Sequence, residues 1–268
     1  MMHDLSVVRP PAVAGTFYPR TAGVLASDVE QMLADAPVYE GPAPRALVVP
    51  HAGYVYSGPI AATAYAALRA AGTRVRRVVL LGPSHRVVLH GVAAPDAQWL
   101  RTPLGDVEID VAALDAAGVP RNAEVHAREH SLEVQLPFLQ RVVPAAKLCP
   151  IACGDASPQE VGAVIESLFG EDTVVVVSSD LSHYLPYAQG RVLDEETAAR
   201  IVALDDRLDG ERACGFVGLR GLLWAARRRG LVGKLLDLRS SGDTAGPRDE
   251  VVGYGAFAFW DGARAVLS

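Results

Sequence analysis

The 268-residue sequence has few cysteines and no long hydrophobic run. Cys149, Cys153 and Cys214 are an odd number in a chain of this length, so we expect thiols or metal ligands rather than a disulfide framework. No run approaches the ~20 apolar residues of a membrane span. The segment Met1-Met2-His3-Asp4 lacks the basic start and hydrophobic core of a signal peptide. We therefore expect a cytoplasmic protein that does not bind membranes.

Common nucleotide-binding and hydrolase motifs are also absent. There is no Gly-x-x-x-x-Gly-Lys-Ser/Thr phosphate loop, no convincing Gly-x-Gly-x-x-Gly after the first predicted strand, and no Gly-x-Ser-x-Gly. The formal net charge is -6. The basic run Arg227-Arg228-Arg229 ends a stretch predicted to be helical, where cations suit the helix dipole. We therefore expect no nucleic-acid surface.

The composition is that of a folded domain with a large core, since 50% of the residues are hydrophobic and 21% are charged. The Pro- and Gly-containing segment 38–45 is the best linker candidate, and we interpret it as the join between an N-terminal arm and the first strand. The prediction is a single domain over residues 1–268, in which residues 1–44 form an arm and a helix packed on the rest.

Apolar runs alternate with segments of helical spacing, which predicts an α/β fold. We expect one domain with a largely buried central mixed β-sheet of six or seven strands, flanked by helices. Strands are predicted at 46–49, 78–81, 91–94, 107–109, 147–153, 173–178, 234–238 and 251–259. Helices are predicted at 27–34, 59–71, 111–117, 158–168, 195–204 and 217–229, with Ser27 or Asp28 as the first cap and Pro59 in a first turn.

Two histidines follow buried strands in the same way. His51 comes after Ala46-Leu47-Val48-Val49-Pro50, and His85 comes after Val78-Val79-Leu80-Leu81-Gly82-Pro83-Ser84. Ligands bind at the carboxyl ends of strands in open α/β sheets, and imidazole suits iron, copper, nickel or zinc. Either histidine alone is better explained as a turn or loop residue, but the pair favours a metal site.

A third polar cluster follows the strand at 173–178. Asp180 and His183 are three residues apart, and a helical turn would bring them to one space, where His183 could transfer protons and Asp180 could orient it or bind metal. The alternative is that Ser178 or Asp180 caps the next turn. Helical spacing could likewise place His130 and Glu133 on one face, or Glu133 could only support the helix start.

The cysteines differ in their predicted surroundings. Cys149 lies within an apolar strand pattern and is expected in the core, while Cys153 at its end is ambiguous. Cys214 precedes the predicted helix at 217–229, whose N-terminus could stabilise a thiolate. Cys214 is therefore the best third ligand by environment, although composition alone does not select it.

Six segments in this order resemble the Memo family, whose prokaryotic members are called AmmeMemoRadiSam system protein B. The segments are Gly15-Thr16-Phe17-Tyr18-Pro19, Pro50-His51-Ala52-Gly53-Tyr54, Gly82-Pro83-Ser84-His85, Glu129-His130-Ser131-Leu132-Glu133, Ser178-Ser179-Asp180-Leu181-Ser182-His183 and Ala213-Cys214-Gly215. The closing Gly253-Tyr254-Gly255-Ala256 also fits, so the resemblance covers nearly the whole chain.

The resemblance implies a fold similar to class III extradiol dioxygenases, whose iron is held by two histidines and a glutamate. It implies His51, His85 and Cys214 as the metal ligands, with cysteine in place of the glutamate. His183 matches the acid/base histidine, with Asp180 and His130 as further catalytic candidates. Tyr54, Ser84 and Glu133, which stand in the shared segments, are candidates for substrate contact.

The leading hypothesis is a metal-dependent redox protein with one iron or copper ion, possessing a two-histidine, one-cysteine centre. Ring cleavage does not follow from the fold, because a thiolate donates more charge than a carboxylate. The alternative is a non-catalytic module that binds a peptide or small anion in the same cleft. The family name further implies a radical S-adenosylmethionine protein and a third component as partners.

Overall fold

The computed structural model of the protein describes residues 7–69 and 74–262. In chain order its strands are β1 (Val8–Arg9), β2 (Ala46–Val49), β3 (Arg77–Pro83), β4 (Val92–Ala93), β5 (Trp99–Thr102), β6 (Gly105–Glu108), β7 (Lys147–Cys153), β8 (Thr173–Ser178), β9 (His183–Leu185), β10 (Leu231–Ser240) and β11 (Val251–Asp261). Its α-helices are α1 (Ala22–Asp35), α2 (Tyr54–Arg69), α3 (Val111–Ala116), α4 (Ala123–Ala127), α5 (Leu136–Val142), α6 (Pro158–Leu168), α7 (Tyr187–Val202) and α8 (Phe216–Arg229).

Four apolar strands form the parallel centre of the main sheet. The strand order is β10-β11-β2-β8-β3-β7-β4, with β9 paired to β11, and β2, β8, β3 and β7 run parallel. Strands β4, β9, β10 and β11 join antiparallel, so the sheet is mixed. Every residue of β2 and β8 is buried, as continuous β-branched runs covered on both faces require. The predicted fold class is confirmed.

Helices cover this sheet and complete the core. Helix α2 packs against β2, β10 and β11, helix α8 packs against β3 and β8, and α6 lies on α8. Helix α1 packs against α2 and α5, which attaches the N-terminal segment to the rest of the core. Within residues 7–69 and 74–262, no helix combines the length and apolar character needed to cross a membrane.

Helix α2 begins earlier than its proline suggests. The prediction placed Pro59 in the first turn, whereas the helix starts at Tyr54 and Pro59 lies inside it. The hydrogen bond that Pro59 cannot donate would go to the carbonyl of Val55, a residue that is 69% exposed and accessible to water. The other predicted end, at residue 71, lies outside the described residues.

Two further helical predictions are wrong in extent. Helix α1 begins at Ala22 behind Thr21, so neither Ser27 nor Asp28 caps it. Helix α7 begins at Tyr187, eight residues before its predicted start, and contains Gly190. A Cβ on Gly190 would lie 3.1 Å from Val251 Cγ2, so the glycine allows α7 to approach β11 closely.

The polar segments that follow the strands are less helical than predicted. Residues 129–132 form a loop, a short 3₁₀ turn covers Glu133–Gln135, and α5 starts only at Leu136. His130 and Glu133 consequently do not share a helix face. Residues 179–182 are also non-helical, because the amide of Leu181 donates to the carbonyl of Gly253 and β9 follows at His183.

The structure contains a second, three-stranded sheet, of which the sequence predicted only one strand. It has the order β1-β5-β6, with β1 parallel to β5 and β5 antiparallel to β6. Of these three strands, only one near β6 was predicted from the sequence. Strand β1 has two residues, too few for a periodic pattern, and it attaches the N-terminal arm to a distant part of the chain.

Candidate metal centre

The carboxyl ends of three neighbouring parallel strands deliver the central side chains. Strand β8 lies between β2 and β3, and Val49 is in register with Ser178. His51 follows β2, His85 follows β3 and Asp180 follows β8. These residues therefore meet at one edge of the sheet, as the sequence predicts.

Three imidazoles form a compact group at this edge. One ligand atom from each of His51, His85 and His130 lies within 4.8 Å of the others. The rings of His85 and His130 stack, with centroids 4.8 Å apart, and the His51 ring stands nearly perpendicular to both. The described part of the chain thus contains a histidine group that can bind a metal ion, and it includes His130, which the sequence analysis assigned to catalysis.

Cys214 lies beside this group on the His51 side. Its Sγ is 3.3 Å from His51 Nε2, close to the roughly 3.5 Å that tetrahedral angles and ordinary metal–ligand bond lengths give two ligands on one ion. Gly215 makes this approach possible, because a Cβ there would lie 2.7 Å from the carbonyl oxygen of Ser178. Of the predicted ligands, His51 thus lies next to both His85 and Cys214, and the assignment of Cys214 as a ligand stays a prediction.

The protonation states of these residues suit metal binding. Burial, and after it the nearness of His85, lowers the pKa of His51 to about 3. Burial and the nearness of His51 lower the pKa of His130 to about 4. Both rings are therefore neutral at physiological pH and can offer a lone pair. Burial and the charge of Asp180 raise the pKa of the Cys214 thiol to about 12, so without a metal it is protonated.

Glu129, which was not predicted as a site residue, bonds to the ring and the backbone amide of His85. Its carboxylate accepts hydrogen bonds from His85 Nδ1 at 3.0 Å and from the backbone amides of His85, His130 and Ser131. Burial alone would raise the pKa of Glu129, but these bonds, first that of His85, hold it well below its usual range. A carboxylate behind a ligating imidazole is a recurrent arrangement in metal sites. The only indication of this role in the sequence is that Glu129 directly precedes the candidate site residue His130.

Asp180 and His183 lie in the same cleft. Asp180 is buried, and its Oδ1 accepts the backbone amide of His51 at 2.7 Å. Burial raises the pKa of Asp180, while the bond from His51 opposes that rise. His183 lines the cleft from β9. The predicted catalytic residues His130, Asp180 and His183 are thus brought together, and their roles in proton transfer stay predictions.

The cleft has a volume of about 700 Å³ and opens directly over the imidazoles. Aromatic rings form much of its wall: Phe17, Tyr56, Tyr184 and Tyr254. Tyr184 adopts a positive φ of 57°, in the left-handed region that non-glycine residues rarely occupy. Buried His130 Nδ1 makes no hydrogen bond and lies 3.3 Å from Glu129 Oε1. The residues present fit a bound transition metal.

Tyr54, Ser84 and Glu133 do not line this cleft, and their role in substrate contact stays a prediction. The Tyr54 hydroxyl donates to the Val134 carbonyl inside the core, and the Ser84 hydroxyl donates to the carbonyl of Val87. Glu133 points to the N-terminal arm, where it pairs with Arg9 and accepts the Tyr18 hydroxyl. All three side chains instead have structural hydrogen bonds of their own.

The N-terminal arm also contributes to the site, which sequence analysis did not foresee. The Phe17 ring lies 4.6 Å from that of His130. The guanidinium of Arg9 donates to the carbonyls of His126 and Glu129 and pairs with buried Glu133. The arm therefore supports the loop that carries Glu129 and His130.

Comparison with known proteins gives matches over nearly the whole chain. A family model described as "Memo-like protein" matches residues 9–258. A MEMO1 family protein of Methanopyrus kandleri is 38% identical, over 94% of this chain and 98% of its own length. MEMO1 family proteins of Caldivirga maquilingensis and Saccharolobus solfataricus are 37% and 36% identical, over 95% and 94% of this chain and 99% of their own lengths.

Proposed function

The chain belongs to the Memo family, and from this premise we propose that it is a metal-dependent redox protein that binds iron or copper at His51, His85 and Cys214. Its fold is similar to that of class III extradiol dioxygenases. The observation that carries the proposal is the compact group of imidazoles at the cleft floor, with a thiol 3.3 Å from one of them.

The donor set supports a soft or borderline ion. Imidazole and thiolate together suit iron, copper or zinc, and hard ions such as magnesium prefer oxygen ligands. Iron or copper would supply one-electron chemistry at the cleft floor. Around it, Glu129 orients His85, Asp180 holds the backbone of His51, and His183 is placed to exchange a proton with a molecule in the cleft.

The third ligand can be assigned by comparing two variants. His130 belongs to the imidazole group and Cys214 adjoins it, so either can complete the site. We expect Cys214→Ser to lose bound iron or copper and His130→Gln to retain more of it. Cys149→Ser, which changes a buried thiol outside the site, is the matched control and should leave metal content unchanged. Metal that survives Cys214→Ser in full would overturn the assignment.

Redox function is tested by oxygen consumption. Protein purified without oxygen and loaded with ferrous iron or cuprous copper is mixed with catechol-like compounds, and we expect oxygen uptake that His183→Gln reduces without loss of metal. No uptake by fully loaded protein with any such compound would contradict the redox proposal.

The alternative is binding without turnover. Neither lysine nor arginine is found among the described residues that line the cleft, and this favours an uncharged aromatic molecule or a peptide over a small anion. On this alternative, His183→Gln should weaken binding of that molecule, and neither the variant nor the wild type should catalyse a reaction of it.

We further propose association with a radical S-adenosylmethionine protein and a third system component in the cytoplasm, on the strength of the family resemblance alone. Mixing the recombinant proteins and measuring complex formation by size exclusion tests this. Failure of all pairs to associate, together with their absence from pull-downs, would count against it.

A further inference from the structure

The hydroxyl of Ser178 lies behind the His51 ring and contacts three polar groups. Ser178 Oγ is 3.0 Å from His51 Nδ1, 2.6 Å from the carbonyl oxygen of Ser131 and 2.8 Å from Gln135 Nε2. All four residues are at least 98% buried, so water does not compete for these bonds. A hydroxyl has one proton and two lone pairs, and three partners therefore fix its orientation completely.

The orientation of Gln135 follows from its other neighbours. The carbonyl of Pro50 can only accept, so the atom 2.9 Å from it must be the Gln135 nitrogen. The opposite amide atom, Oε1, accepts the hydroxyl of buried Tyr65 at 2.9 Å. Gln135 Nε2 is thus a donor to both Pro50 and Ser178.

The single proton of Ser178 goes to Ser131. The Ser131 carbonyl is an acceptor, Gln135 already donates to Ser178, and one lone pair on the hydroxyl remains for His51. That lone pair requires a proton on His51 Nδ1. If Ser178 donated to His51 instead, the buried Ser131 carbonyl would lose the bond it receives from Ser178, which is unfavourable.

We propose that Ser178, oriented by Gln135, is a positioning residue that fixes the Nδ1–H tautomer of His51. The lone pair of His51 Nε2 then faces Cys214 Sγ, 3.3 Å away, and the imidazole group. The tautomer is a property of the metal-free chain, whereas its use in binding an ion rests on the proposed function. Glu129 does the same for His85 through its carboxylate.

Nitrogen NMR of the metal-free protein tests the tautomer directly. The protein is labelled with ¹⁵N-histidine, and two-bond ¹H–¹⁵N spectra are recorded at neutral pH, with His51 assigned by the signals missing from His51→Gln. We expect a protonated Nδ1 and an unprotonated Nε2 for His51. A protonated Nε2 in the wild-type protein would overturn the proposal, whatever the behaviour of the variants.

Two matched variants test the role of Ser178. In Ser178→Ala we expect a mixture of His51 tautomers and about tenfold weaker binding of ferrous iron alone. Ser131→Ala is the control, because the hydroxyl that it removes donates to the Pro83 carbonyl, whereas His51 Nδ1 bonds to Ser178. The His51 tautomer of this variant should match wild type. An unchanged single tautomer in Ser178→Ala would show that Ser178 does not fix it.

The two proposals fail in different ways. An Nδ1–H tautomer in a protein that binds neither iron nor copper would refute the proposed function and leave the positioning role intact. Tight iron binding by a protein with the Nε2–H tautomer would refute the positioning role and leave the proposed function intact. If Ser178→Ala does not fold, the wild-type spectrum still decides.

Discussion

His51 and His85 occupy matching places in the sequence but have different surroundings in the structure. His51 is 2% exposed and bonds to the neutral hydroxyl of Ser178, whereas His85 is partly exposed and bonds to the carboxylate of Glu129. The ring of His51 thus bonds to a neutral hydroxyl, and the ring of His85 bonds to a buried carboxylate. Two strand-end histidines can therefore form one site while depending on different physical interactions.

The difference comes from which element supplies the partner. Ser178 lies on β8, the strand hydrogen-bonded to β2, so the sheet itself fixes His51. Glu129 lies on a loop supported by Arg9 from the N-terminal arm. The His51 side should accordingly be the more rigid, and the His85 side should depend on how the arm is attached.

Removal of Arg9 should have the largest effect. Arg9→Met leaves buried Glu133 without its cation, and breaking a buried ion pair in this way costs about 3–5 kcal/mol of unfolding free energy. Urea denaturation measures this loss. Arg101→Met, which removes an exposed pair with Asp106, is the control and should change stability far less. Equal losses in the two variants would refute the role of the arm.

Glu129→Gln should have the next largest effect, on the His85 side alone. The amide cannot accept all four hydrogen bonds that the carboxylate receives, so affinity for ferrous iron should fall about 10- to 100-fold by calorimetric titration. Asp194→Asn changes another buried carboxylate, which accepts the amide of Ser182, and should leave iron affinity near wild type. A similar loss in both would mean that general destabilisation explains the result.

Ser178→Ala should weaken iron binding less than Glu129→Gln, since a neutral hydrogen bond contributes about 1 kcal/mol and one to a charged group about 1.5–3. The same titration compares the two variants. If Ser178→Ala had the larger effect, the carboxylate behind His85 would not be the stronger support, and the contrast drawn between the two histidines would be incorrect.

The smallest effect concerns the reactivity of Cys214. With a pKa raised to about 12 by burial and by Asp180, its thiol in the metal-free protein should react slowly with iodoacetamide at neutral pH. The rate should rise about tenfold per pH unit up to that pKa, as the thiolate fraction does. Mass spectrometry of the modified peptide measures this. Fast alkylation at neutral pH would mean that a thiolate already lies beside His51 in the metal-free protein, which would contradict this prediction.

The sequence was sufficient to predict the strands that carry the site. Ala46–Val49 and Thr173–Ser178 match their predicted bounds, because short apolar runs rich in β-branched residues are typical of buried strands. The positions of His51 and His85 at one sheet edge follow from those strands. Helices were less predictable where Pro59 and Gly190 stand inside them, since tertiary packing outweighs local preference there.

The partners of the site residues could not be predicted from local pattern. Arg9 bonds to a carbonyl 117 residues away, and Gln135 reaches the Ser178 hydroxyl across 43 residues. Such contacts depend on strand order and loop path, which no periodicity encodes. Cys214 was favoured by its position before a predicted helix and then selected through the family resemblance, and Glu129 was passed over although it adjoins His130.

Iron titration of the wild-type protein and of His51→Gln tests the central claim, that these strand ends form a metal centre. Under anaerobic conditions the wild type should bind about one ferrous ion per chain, with proton release from its ligands. His51→Gln should bind none tightly, and His90→Gln, which alters a largely exposed histidine, should bind like the wild type. Equal stoichiometry and affinity in His51→Gln and the wild type would contradict the account.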